Sequence, residues 1–407
     1  MPARRARRAA RSLALSLSLC ALASSAHARD GESLEEVKGI KPDEAKPDEA
    51  KPGEAKPEAP KGPWDLGVYG FVRMGYENVQ RDERYDFVGR NSGFLLDGAR
   101  VGVQGRNREY GLTFRVSAEG AADQISSPNT PLGTLDVRLR DAFGRFDPVP
   151  WFGIQAGQFK APFQDAELRG AQNLMFATRA VGVEGVRVGR GIQQSGIALA
   201  RQLGVMLSPD KPIGAGGFGF AYYAMLMNGN GANQLLDDNG RLGIVGRIEG
   251  NYEKYARVGV ALFRNDRTVG APPNLYFEED LGLTGDVDVQ IAGLEVFGSV
   301  TRLRTVFPTV GVSERIQLAF QGQAAYRFDL PARIQLSPGY RYAHFHPWEK
   351  GGEDGFDTFQ VDYHTFGVKV GHATLPLLAW LNYTVTVERE PRQLDNNRLQ
   401  LIGQLTF

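Results

Sequence analysis

His344-Phe345-His346 places two imidazoles on one face of an extended segment, a spacing a metal ion could use. The other histidines are His27, His364 and His372, and the single cysteine, Cys20, lies far upstream. A metal centre needs three or four such ligands. Two imidazoles at a strand end suit a solvent-facing or interfacial place better. Nucleophiles fare no better, because Gly-x-Ser-x-Gly, His-Glu-x-x-His and a phosphate loop are all missing. The sequence therefore offers no catalytic residue, no metal set and no cofactor motif.

Its abundant charged donor is arginine. Beyond residue 62 there are 30 Arg but only five Lys (Lys160, Lys211, Lys254, Lys350 and Lys369), against 37 Asp and Glu. A guanidinium stays ionised at any relevant pH, and its planar fork of donors fits phosphate or carboxylate. Arg100, Arg115, Arg138, Arg140, Arg241, Arg247 and Arg257 occur at alternate positions opposite apolar neighbours. On the inner wall of a pore they would stabilise anions without holding them too tightly to leave. The alternative is structural: many would pair with acids such as Glu119, Asp136 and Glu249 and brace the wall. The 161–190 stretch adds Arg169, Arg179, Arg187 and Arg190 among Gly and Ala, with Asp165, Glu167 and Glu184. Folded inward it would narrow a pore; capping the exterior it would not.

The elements that would position these residues are strands. From Trp64 onward the pattern has period 2. Tyr110, Leu112, Phe114, Val116 and Ala118 take one face while Thr113, Arg115, Ser117 and Glu119 take the other. Leu242, Ile244 and Ile248 oppose Arg241, Arg247 and Glu249; Leu399, Leu401, Leu405 and Phe407 oppose Arg398, Gln400, Gln404 and Thr406. Sixteen such segments are predicted, near 66–79, 92–106, 110–121, 135–147, 151–160, 191–203, 217–228, 241–250, 256–265, 284–292, 294–305, 315–328, 333–343, 359–371, 377–388 and 397–407. Long connections (80–91, 122–134, 161–190, 229–240, 266–285, 344–358) mostly alternate with short ones. The connection 204–216 breaks that rule, and 359–371 changes face midway. An even count, alternation throughout and one-sided long loops predict an all-β fold, a closed transmembrane antiparallel β-barrel. An open sheet in lipid would strand edge amides and carbonyls at several kcal/mol each. Around sixteen strands, the interior is too wide for side chains to fill.

No stretch beyond the first 30 positions approaches the roughly 20 apolar residues of a helical span, and mean hydropathy over the 407 residues is -0.30. Residues 1–28 carry five Arg and no acid, then Leu13 to Leu22 and Ala26-His27-Ala28, the order of a cleaved secretory signal peptide. Its removal lowers Lys+Arg from 47 to 42 against 47 acids and leaves a chain near −5, which argues against a nucleic-acid binder. Residues 29–62 repeat Lys41-Pro42-Asp43-Glu44-Ala45 with drift. Proline every fifth residue blocks a helix, so an extended, disordered linker is expected, a solvated tail or a tether to the cell wall. The domain that follows, 63–407, is the barrel.

Asp141-Ala142-Phe143, Phe146-Asp147-Pro148-Val149-Pro150 and Gly157-Gln158-Phe159-Lys160-Ala161-Pro162-Phe163 resemble the central signature of the phosphate-selective porin O and P family. Gly98 to Gly105, Asn228-Gly229-Asn230-Gly231 with Arg241 and Arg247, Gly339-Tyr340-Arg341-Tyr342 and the run from Asn382-Tyr383 to Phe407 agree with it. The resemblance covers about 66–407. It implies a sixteen-stranded outer-membrane barrel, usually a homotrimer, whose third long loop folds inward and whose lumen arginines and lysines pass phosphate. Lys160 matches the lysine at the mouth of that loop and Arg100 the strand-two arginine. The closing Phe407 is similar to the signal read by the barrel assembly machinery. The balance of 35 basic to 37 acidic residues departs from the family pattern. The expected protein is an outer-membrane diffusion channel of a Gram-negative-type bacterium, among lipid and lipopolysaccharide, passing small hydrophilic solutes with a preference for anions such as phosphate. The alternative is a weakly selective or non-specific porin with an envelope-anchoring role.

Overall fold

The computed structural model describes residues 62–122, 135–187, 189–234, 236–271, 273–308, 314–350, 360–388 and 393–407. The expected signal peptide and nearly all of the linker, residues 1–61, lie outside the described residues.

Among the described residues, sixteen strands form the wall. They are β1 (Trp64–Val79), β2 (Gly93–Asn107), β3 (Leu112–Ala122), β4 (Leu135–Val149), β5 (Phe152–Lys160), β6 (Arg201–Ser208), β7 (Phe218–Met227) and β8 (Gly243–Tyr252). The second half comprises β9 (Ala256–Ala271), β10 (Asn274–Ile291), β11 (Leu294–Val306), β12 (Glu314–Tyr326), β13 (Ile334–Lys350), β14 (Val361–His372), β15 (Leu377–Glu388) and β16 (Arg398–Thr406). Each pairs antiparallel with the next, and β16 returns to β1 with Arg398 opposite Val79 and Thr406 opposite Phe71. Gly70 and Phe407 exchange backbone hydrogen bonds of 2.8 and 2.9 Å across that seam. No edge is left open, the condition lipid imposes.

Alternation of burial follows alternation of sequence. Along β8, Ile244 and Ile248 are exposed while Val245, Arg247 and Glu249 are buried. Val101, Val116, Val260, Leu262, Leu283, Leu381 and Leu401 continue the exposed aliphatic band. Aromatic pairs flank it: Trp64–Phe114, Phe218–Tyr252 and Tyr326–Phe328 toward the short connections, Tyr76–Phe94 toward the long ones. That distribution is the girdle pattern of a membrane barrel.

Two β-bulges re-aim charged side chains. Ser117 of β3 faces both Arg140 and Asp141 of β4, so two consecutive residues turn to the buried face. Asp97 is the extra residue of β2 beside Arg73, with which it pairs at 3.2 Å. The hairpin between β10 and β11 closes on Ala292 (φ 49°) and Gly293 (φ 88°), both in the left-handed region that a two-residue turn requires.

Four strands differ from expectation by more than three residues: the sixth, the ninth, the tenth, and the thirteenth, which runs on through His344 and His346 to Lys350 instead of ending at 343. The sixth occupies Arg201–Ser208 rather than 191–203, because its buried face carries the apolar Met206 and polarity fails to alternate there. The shift shortens the irregular connection after it to 209–217, in which Ile213–Ala215 pairs with the start of β7. The tenth begins at Asn274, so the expected 266–285 connection is a tight hairpin at the end of extended strands. Glu278 and Asp280 have the look of loop residues but are paired to Arg267, at 2.7 and 3.4 Å. The change of face expected in 359–371 does not occur, since Val361, Tyr363 and Thr365 all lie on the buried face.

The 161–200 connection is densely structured. It contains two single-turn helices, α1 (Asp165–Leu168) and α2 (Val181–Glu184), and a two-residue pairing of Gly185–Val186 with Gln194–Ser195. Phe163, Val181, Val186 and Ile197 pack with buried wall residues Met206, Met225, Val245, Phe263 and Phe345. The inner wall is therefore not uniformly charged: this patch is apolar and is covered by the connection.

Candidate functional site

Three groups of ionised side chains line the buried face. In the first, β2, β3 and β4 bring Arg100, Glu119 and Arg138 into one register row. Glu119 Oε2 accepts from Arg100 Nη2 and from Arg140 Nε, both at 2.7 Å. Arg201 of β6 donates to both oxygens of Asp141, at 2.9 and 3.2 Å. Arg115 donates to Gln104 Oε1 at 2.9 Å and lies over the Tyr69 ring at 4.8 Å. Lys160 ends β5 with its amine hydrogen-bonded to the carbonyl of Glu167, so it fastens the start of the 161–200 connection.

A second group joins β8–β11 to α1. Arg247 forks onto Asp286 at 2.8 and 2.7 Å and reaches Glu249 at 2.7 Å. Arg257 pairs with Asp165 at 2.6 Å, and Arg169 with Asp165, Asp288 and Glu295 at 2.8, 2.9 and 3.2 Å. Burial works to raise the Asp165 carboxyl, but Arg169, Arg257 and Arg247 outweigh it and hold it below its ordinary value. Arg179 donates to the carbonyls of Ala166 and Arg169, stapling the connection to itself. Arg187 pairs with Glu184.

In the third group, Arg190 forks onto Glu77 of β1 at 2.9 and 2.7 Å. Arg73 and Arg341 donate to the carbonyls of Ala177 and Thr178, at 2.6 and 2.7 Å, and Lys369 to that of Leu174 at 3.1 Å. Carbonyls of the connection thus hang on donors from β1, β8, β13 and β14.

The residues expected along an anion path are accordingly divided. Arg100, Arg115, Arg138, Arg140 and Lys160 gather on β2–β5, and Arg247 and Arg257 on β8 and β9. Arg241 is a correction: it precedes β8, with its side chain 65% exposed and 3.3 Å from Asp266, because Asn239 and Asp266 hold it in the connection. Arg73, Arg201, Arg341, Lys369 and Arg398 escaped sequence reasoning, although Arg398 stands on the polar face of the last alternating segment. His344 Nδ1 lies 2.6 Å from Asp362 Oδ1, and His344 stacks on the exposed Phe320 at 4.6 Å. His346 Nε2 lies 3.3 Å from Gln360 Nε2. Among the described residues no group of three His, Cys, Asp or Glu is placed to hold a metal ion.

Among the described residues, cavities open toward opposite ends of the barrel. One of about 400 Å³ is lined by Arg138, Gln202, Asn230, Asn265 and Arg267, near the long connections. The other, of about 590 Å³, is lined by Lys254, Gln290, Arg327, Ser337 and Lys369, near the short ones. The 161–200 connection contributes to both, through residues 193–199 and through Met175.

No family model matches the sequence, and neither does any curated protein. Similarity appears among solved structures. The anion-selective porin from Comamonas acidovorans aligns over 84% of this chain and 100% of its own, at 12% identity and a TM-score of 0.56. OmpT of Vibrio cholerae, also known in a trimer form, aligns at 10% identity over 84% of this chain and 99% of its own, with a TM-score of 0.55. The outer membrane channel DcaP of Acinetobacter baumannii aligns at 12% identity over 84% and 97%, with a TM-score of 0.54. At these identities the likeness is one of fold: the chain has the closed sixteen-stranded barrel found in porins.

Proposed function

We propose that the protein is an outer-membrane diffusion channel passing small hydrophilic solutes down their gradients, with a preference for anions such as phosphate. The observation that carries this reading is one closed wall with an aliphatic outer band and an ionised inner face. The outer band suits hydrocarbon and the inner face suits water. Cavities at both ends support a path, and in this reading the 161–200 segment is the inward third loop that constricts it. The channel acts as a homotrimer among lipid and lipopolysaccharide, exported by its signal peptide and inserted through the Phe407 segment.

Purified protein in a planar bilayer is expected to give stepwise current, and the reversal potential in a salt gradient to report anion preference. A lumen that passes no current overturns the channel. The second reading, a weakly selective porin with an anchoring role through residues 29–62, draws on the ion pairing of Arg100, Arg140 and Arg247. Each of these guanidiniums already faces a carboxylate. A reversal potential of zero favours it.

A further inference from the structure

The outer face of β9–β11 carries a cluster of arginines. Arg264 is opposite Leu281, and Leu281 is opposite Arg304, so two arginines share one row across a leucine. Leu281 is exposed with the aliphatic band, which puts this row on the outside of the wall. Arg302 lies one step nearer the short connections on the same face of β11, between Leu283 and Leu318. Arg302 and Arg304 are exposed, and the Arg264 side chain is 67% exposed. Neighbouring strands are about 4.8 Å apart and alternate residues of one strand about 7 Å. Three long side chains can therefore meet over one headgroup.

Their height on the wall follows from the strand. Leu294 begins β11 opposite Tyr326, in the aromatic girdle toward the short connections, and Arg302 and Arg304 stand eight and ten residues further on. At about 3.4 Å per residue and a tilt of about 40°, that is roughly 21–26 Å along the barrel axis. The apolar band of such a barrel is about 25 Å tall, so the arginines stand at its far boundary. On β1 and β2 that boundary carries Tyr76 and Phe94 instead. Long connections lie on the extracellular side, which assigns the arginines to the outer leaflet.

Charge on this face is sorted by height. The next outward row beyond Arg264 and Arg304 is acidic: Asp266 is opposite Glu279, Glu279 opposite Val306, and Val306 opposite Glu314. Arg264 lies 3.8 Å from Asp266 and Arg304 2.8 Å from Glu314, exposed pairs of the kind that contribute little. The Arg302 row holds only Leu262, Leu283 and Leu318 on its neighbours, and among the described residues Arg302 forms no ion pair. Cations thus border the hydrocarbon, where an anionic headgroup sits, and acids stand a step beyond it.

We propose that Arg264, Arg302 and Arg304 form a lipid-facing site for the phosphorylated headgroup of lipopolysaccharide. Their forks donate N–H groups to phosphate oxygens, while Leu281, Leu283 and Leu318 meet the acyl chains. The site lies outside the lumen, so it rests on the outer-membrane reading and not on ion preference.

The test titrates lipid A, the phosphorylated anchor of lipopolysaccharide, into the purified full barrel in detergent, with bound lipid counted by native mass spectrometry. Lipid A stripped of phosphate and phosphatidylglycerol are the comparison lipids. Wild type is expected to bind lipid A about tenfold tighter than either. R302Q/R304Q is expected to raise the half-saturating lipid A concentration about tenfold, and R302K/R304K, which keeps charge without the fork, about threefold. R108Q, at an exposed arginine of the short connection after β2, should bind as wild type. Affinity unchanged in R302Q/R304Q, equal for the three lipids, or lost equally in R108Q overturns the site. Should R302Q/R304Q not fold, R302Q alone decides, and wild-type affinity there overturns the proposal. Cell fractionation separates the two readings. Recovery with the inner membrane overturns the outer-membrane reading and the site with it, whereas an outer-membrane barrel indifferent to lipid A overturns the site alone.

Discussion

Arg247 reaches across a whole strand to Asp286, with Nη2 2.7 Å from Oδ1. The strand it crosses is β9, where Gly259 is opposite Asp286 and a Cβ would stand 2.2 Å from Arg247 Nη2. The pair links β8 to β10, and Arg247 Nη1 also holds the carbonyl of Phe163 at 3.0 Å. One guanidinium thus fixes both the wall and the entry to the 161–200 connection.

Arg247→Ala leaves Asp286 and Glu249 buried without their partner. Breaking one side of such a pair costs about 3–5 kcal/mol. The expected outcome is a barrel that unfolds at lower denaturant in detergent micelles, read by the mobility shift between folded and unfolded bands. Gly259→Val is expected to act in the same direction by displacing the fork. Unchanged unfolding in both variants would mean that water in the lumen carries these charges unaided.

Gly182 in α2 touches β12 so closely that a Cβ there would meet Ala319 Cβ at 2.3 Å. Gly182→Val must therefore push this turn off the wall. Because the segment borders both cavities, the proposed channel is expected to change its single-channel conductance and gain open-state noise, while unfolding of the barrel moves little. A conductance identical to wild type would place the narrowest point elsewhere.

The outline of the wall was legible because Ile244, Arg247, Ile248 and Glu249 obey period 2, and lipid and water allow no other solution. Met206 was not, since an apolar residue facing a folded connection has the signature of one facing lipid. Glu278 and Asp280 resembled a loop until Arg267 supplied their partner from another strand. The site was harder still. Arg100 and Arg140 can be placed on an inner face from sequence, but whether Glu119 cancels their charge depends on a bulge at Arg140–Asp141. Arg341 and Arg398 stand 57 residues apart, and only register across four strands puts them in one row.

Asp82 clasps two long connections. Its Oδ1 accepts from the Arg84 amide at 2.8 Å, and its Oδ2 accepts from Arg84 Nη2 and from the Asp395 amide, at 2.9 and 2.8 Å. The hydrogen bond from Arg84 is the main cause that holds this carboxyl well below the usual range. A depressed folded pKa stabilises above the unfolded value near 4, and that stabilisation is lost as pH falls through the folded value. Hydrogen exchange at the Asp395 amide is expected to stay protected down to about pH 4 and to lose protection below it. Asp82→Asn should show weak protection at every pH, and a flat wild-type profile would refute the clasp.

Ile248 tests which face meets hydrocarbon. It is 55% exposed on β8, opposite Tyr222 on one side and Val260 on the other, four residues from the aromatic pair Phe218–Tyr252. If the aliphatic band spans the bilayer, Ile248→Arg puts a charge near its middle, at about 2–4 kcal/mol, whereas Phe218→Arg at the girdle costs about 0–1 kcal/mol. Unfolding from lipid vesicles measures both. Long arginine side chains snorkel from the girdle into the headgroups, which keeps the second cost small. Equal costs would mean that the aromatic pairs do not mark a membrane boundary, and no cost at Ile248 would mean that this face is bathed in water.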